Sequence, residues 1–122
     1  LNIDNAPKNA RFNFADYNAD KANDYIFAAN ENIYICNNEK TELYKNELEQ
    51  SISNKPLVFN AGNHKLGYVA QNQIYLINKE GILEDGFPLV GSTNFGIADI
   101  NNDQLLNLVV ANQNMIYTYN LK

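Results

Sequence analysis

The segment DYNADKANDYIFAANENIYICN, beginning at Asp16, returns without a gap as DINNDQLLNLVVANQNMIYTYN from Asp99, an offset of 83 residues. Asp16 meets Asp99, Asn18 meets Asn101, Asp20 meets Asp103 and Asp24 meets Asn107. Ile33-Tyr34 falls on Ile116-Tyr117, and upstream Phe12 and Phe14 fall on Phe95 and Ile97. Half the offset is about 41, and a middle copy stands there: LGYVAQNQIYLIN places Ile74-Tyr75 41 residues after Ile33-Tyr34. A fixed period of this length means supersecondary units that stack on their neighbours.

Each copy carries the same local signals. A short run (RFNFA, PLVFN, NFGIA) precedes a polar turn. Then come a strand-like run (YIFAA, LGYVA, LVVAN), a brief turn, and IYIC, IYLI or IYTY. Short β-branched and aromatic runs punctuated by turn residues read as antiparallel hairpins. The inner runs are apolar on both sides of the pleat, as expected of a sheet packed between two others. A fourth strand fits TELYKNEL in copy one and ILEDGFPLV in copy two. Over Thr41 to Gln50 a helix of about two turns is a rival reading.

Four short strands per repeat of about 41 residues predicts an all-β, β-propeller-like chain of three four-stranded antiparallel blades. A β-sandwich shares the short strands but does not predict the internal match. The copies divide the chain into 10–50, 51–91 and 92–122, with 1–9 as the fourth strand of a split blade: LNIDNAP resembles LEDGFPL, and copy three ends after its third strand. Propellers have four to eight blades, and three would leave apolar faces uncovered. The expectation is a homodimer forming a six-bladed ring, or further blades of a longer parent chain.

The acidic loop is the chemical feature. Calcium takes six to eight oxygen ligands, and a loop offering side chains at positions 1, 3, 5 and 9 with a carbonyl at 7 can wrap one ion. Asp16, Asn18, Asp20 and Asp24 hold those positions, with the carbonyl of Ala22 at 7. Asp99, Asn101, Asp103 and Asn107 repeat them around the Leu105 carbonyl with one carboxylate fewer, so calcium is expected at the first loop more than at the third. Copy two has NAGNHK, with no carboxylate and no ion expected. The competing reading is that these side chains only cap turns through Asx-type hydrogen bonds.

The pattern D-x-[DN]-x-D-x-x-x-[DN], followed by an apolar strand and IY, resembles the FG-GAP and VCBS repeats, which build propellers related to the integrin α-subunit head. The stretch GFPLVGSTNFGIADINND resembles family segments in which a Gly-Phe-Pro strand precedes the next acidic loop. The resemblance implies calcium between the first two strands of a blade. It also implies an extracytoplasmic, non-catalytic binding or scaffold module for protein or carbohydrate contact. The family loop has Gly at position 6; here Lys21 and Gln104 stand there, and each would have to adopt the left-handed backbone at a cost.

Other residues exclude more than they assign. The net charge is −5, which does not supply the basic face of a nucleic-acid binder. No apolar run approaches the length of a membrane span. Cys36, in NIYICN, reads as a buried apolar residue, and His64, in NAGNHKLG, as a solvated loop residue. With one His and no Trp, neither a Ser-His-Asp set nor Trp-docked quinoprotein blades are expected. A carboxylate pair drawn from Glu47, Glu49, Glu84 and Asp85 would be the only enzymatic alternative. Tyr17 and Tyr44 are candidates to stack on a ligand. The remaining alternative is a purely structural segment of a larger surface protein.

Overall fold

The computed structural model describes residues 10–29, 31–39, 41–48, 51–61 and 63–121. These form strands and no helix. The first sheet is a meander of β1 (Arg11–Ala15), β2 (Asp24–Ala29), β3 (Asn32–Cys36) and β4 (Glu42–Glu47). The second is β5 (Leu57–Ala61), β6 (Asn63–Ala70), β7 (Gln73–Ile77) and β8 (Leu89–Val90). The third comprises β9 (Gly96–Ala98), β10 (Asn107–Asn112) and β11 (Met115–Asn120). Every neighbouring pair is antiparallel, and none of the three sheets closes on itself.

Strand replaces the helical alternative at β4, because Lys45 and Tyr44 pair with Tyr34 and Ile35 across the sheet. Tertiary pairing outweighs the helix propensity of a Leu- and Glu-rich segment. The fourth strand of copy two is shorter than ILEDGFPLV allowed. Ile77 and Leu83 form one bridge, the chain then turns at Asp85-Gly86, and only Leu89 and Val90 rejoin the sheet. The N-terminal strand expected in 1–9 lies outside the described residues.

Two cores separate three sheets. Ile26, Ala28, Ile33 and Ile35 on one face of the first sheet meet Leu66, Tyr68 and Ile77 of the second. The opposite face of the second sheet brings Val69 and Ile74 against Phe95, Leu108 and Val110 of the third. Strand alternation explains why one strand serves both cores: Tyr68 and Val69 are neighbours in β6 and point to opposite sides. Gly67 lets this packing close. A Cβ there would come within 2.5 Å of the Phe95 ring, which stacks on Phe59 with centroids 5.1 Å apart.

The turns are built for hairpins. Gln71 and Asn72, between β6 and β7, both have positive φ, the geometry whose twist matches that of the strands it joins. Among the described residues no helix is long and apolar enough to cross a membrane.

Candidate functional site

The acidic loops connect the first two strands of the first and third sheets, β1 to β2 and β9 to β10. The two loops have one backbone design. Ala19 (φ 66°) and Lys21 (φ 73°) are left-handed in the first, and Asn102 (φ 60°) and Gln104 (φ 70°) in the third. The position that the family fills with Gly is therefore left-handed in both loops, carried by Lys and Gln at a steric cost.

The leading aspartates fix this geometry. Asp16 Oδ1 accepts from the Asp20 amide at 3.1 Å and Oδ2 from the Lys21 amide at 2.9 Å. Asp99 does the same with the Asp103 and Gln104 amides at 3.2 and 2.8 Å. Asp20 and Asp103 each accept from the amide two residues on, Ala22 and Leu105, and each takes a second bond from the side-chain amide of Asn18 or Asn101. These are Asx-type bonds, and they account for much of the acceptor capacity at positions 1, 3 and 5. Among the described residues no three His, Cys, Asp or Glu side chains gather as a group able to hold a metal ion.

Position 9 is where the loops part. Asp24 is fully buried; its Oδ2 accepts from the Tyr17 amide at 2.9 Å, while its Oδ1 makes no hydrogen bond of ordinary geometry, the Asn18 amide lying close enough only to favour the charged form. Burial pushes its carboxyl above the ordinary Asp range; the Tyr17 and Asn18 amides oppose this, and Asp20 and Asp16 add to it. Asn107 is also buried, but its oxygen accepts from the Ile100 amide and its nitrogen donates to Asn120 Oδ1 at 2.8 Å. A buried carboxylate oxygen with no donor is costly, and a hard cation would relieve it.

In ligand chemistry the first loop suits calcium, since its three carboxylates, the Asn18 amide oxygen and the Ala22 carbonyl all offer oxygen, although its acidic side chains do not converge as a metal-holding group. The third loop fits less well, because its ninth position is already satisfied.

Other singled-out residues have structural work. Tyr17 is not exposed. It follows Asp16 into the core between the first two sheets, and its hydroxyl donates to the Asn78 carbonyl at 2.5 Å, with burial raising the phenol's pKa. Tyr44 is half-buried and packs on the same core, its ring against Gly81. His64 is not a loop residue: it lies in β6, and its Nδ1 is 2.6 Å from the Asp16 carbonyl, to which it donates. That contact ties the second sheet to the start of the first loop, and residue spacing gave no sign of it. Cys36 is buried. Glu84 pairs with Lys65 at 3.0 Å, Glu47 ends β4 on another sheet, and Glu49 lies outside the described residues. No family model, curated protein or solved structure matches this chain.

Proposed function

We propose that this chain is a non-catalytic scaffold module of FG-GAP/VCBS-like propeller blades, stiffened by calcium at its first acidic loop and used for protein or carbohydrate contact outside the cytoplasm. The observation that carries the reading is the pair of loops with matching φ signs and hydrogen bonds, in which only the first leaves a buried carboxylate oxygen, Asp24 Oδ1, without a hydrogen bond of ordinary geometry. Asp16, Asn18, Asp20, Asp24 and the Ala22 carbonyl would hold the ion, with Asp99, Asn101, Asp103 and Asn107 a weaker second set. Bound calcium would supply positive charge that offsets the clustered carboxylates and fixes the loop; it would do no chemistry. An extracytoplasmic setting suits such a site, because weak extracellular modules work at millimolar calcium.

The non-catalytic reading is supported by the engagement of two candidate titratable groups. His64 is engaged with a backbone carbonyl, and Glu84 with Lys65. Completion of a ring, by a second copy or by further blades of a parent chain, belongs to the same proposal. A purely structural role is the second reading, favoured by the burial of Tyr17, which removes one of the two tyrosines expected to face a ligand.

Calorimetric titration with calcium tests the site. Saturable binding that Asp24→Ala abolishes and Asp103→Ala only dents is the expected result. No heat at millimolar calcium would leave the loops as Asx-capped turns. A glycan and peptide screen then separates the binding module from the structural segment.

A further inference from the structure

One repeat position, seen in three settings, exposes the ends of the stack. Ile33, Ile74 and Ile116 are equivalent; the first two are 0% exposed and the third is 76% exposed. Ile33 is covered by the second sheet and Ile74 by the third. Among the described residues none covers Ile116 on the outer face of the third sheet, which also carries Val109 and Ala111.

The opposite end shows the converse. Phe95 and Ile97 of the third sheet pack against the second, with Phe95 only 8% exposed. Their equivalents in the first sheet, Phe12 and Phe14, are 38% and 55% exposed. With Tyr25 and Phe27 they form an aromatic cluster, Phe12 meeting Phe14 edge-on at 4.6 Å and Phe14 meeting Tyr25 at 5.3 Å. The three described sheets thus present two different outer faces, and these are the two kinds of face that pack on each other twice between them.

We infer that two copies of this chain associate head to tail, the Ile116 face of each third sheet lying on the Phe12–Phe14 face of the other copy's first sheet. The contact repeats an interface the fold already makes between its first and second and between its second and third sheets, so equivalent repeat positions meet. It is heterologous, and such contacts propagate unless the rotation closes. Closure with two copies rests on the blade reading: six blades lie within the range that propellers occupy, whereas three copies would give nine. Burying aromatic and aliphatic surface at both seams supplies the driving force.

Light scattering on the whole chain, with Ile116→Lys and Phe14→Lys, tests this. The unaltered chain is expected at twice 13.8 kDa and each variant at 13.8 kDa. An equimolar mixture of the two variants should recover mass above that of either alone, because one of the two seams is then unaltered. Both positions are exposed, so circular dichroism should show the β signal retained; Ile116→Gln and Phe14→Gln replace any variant that loses it. A folded monomer overturns the pairing, as would be found if blades of a longer parent chain cover these faces. Mass that climbs with concentration also overturns it, since the contact then fails to close. Dissociation by only one of the two substitutions overturns it in favour of a contact between like faces. A monomer that still binds calcium sinks the pairing alone and leaves the loop assignment standing.

Discussion

The first and third sheets carry the same sequence pattern, yet differ in two respects. Their loops share φ signs and amide bonds, but a buried carboxylate stands at Asp24 where an amide bonded through both its oxygen and its nitrogen stands at Asn107. Their third strands in chain order share an isoleucine, but Ile33 is core and Ile116 is surface. Local sequence builds the same unit twice; what lies beside the unit decides what each residue is worth.

The largest contrast is expected at that isoleucine. Ile33→Ala removes a buried side chain and should cost about 2–5 kcal/mol, whereas Ile116→Ala in the monomeric state should stay within about 0.5 kcal/mol. Urea unfolding of the two variants measures both, and equal costs would break the contrast.

The next contrast is between the loops. Calcium at 100 times its Kd would stabilise the chain by about 2.7 kcal/mol, and EDTA should remove that gain. Asp24→Asn should abolish most of the thermal shift. In the absence of calcium it should itself stabilise the chain by about 1 kcal/mol, the scale of a buried unsatisfied group. A calcium shift that survives Asp24→Asn but not Asn107→Ala would reverse the order of the two sites.

The pH dependence follows from the same carboxylate. Its pKa is raised by burial, so its contribution to stability is present in full below the ordinary Asp range and is lost as pH rises through the raised value. Without calcium, the unaltered chain should therefore lose stability relative to Asp24→Asn as pH climbs from about 3 past the ordinary Asp value of about 4. Parallel melting curves across pH would show that Asp24 titrates as it does in the unfolded chain.

The smallest effect should come from the left-handed positions. Lys21→Gly and Gln104→Gly each relieve a positive φ and should gain up to about 1 kcal/mol. Similar gains would sharpen the equivalence of the two loop backbones, and a loss at either would show a side-chain contact that outweighs the strain.

Much of this was legible in the chain. Repetition of Asp16–Asn37 at Asp99–Asn120 predicted strands in the right places and in the right order, because hairpins are short-range structures set by turn chemistry and alternation. The left-handed strain at Lys21 and Gln104 was visible as the missing glycine. The burial of Tyr17 and the engagement of His64 with the Asp16 carbonyl were not, since each is a contact with residues far away in sequence.

By itself the sequence determined the period, the strands and the spacing of the acidic loops, since these depend on neighbours within a few residues. Only the tertiary structure decided which copy's apolar face is covered and which loop carboxylate loses its water. Burial is a property of what packs across a sheet, and equivalent segments at the two ends of a stack are given different neighbours.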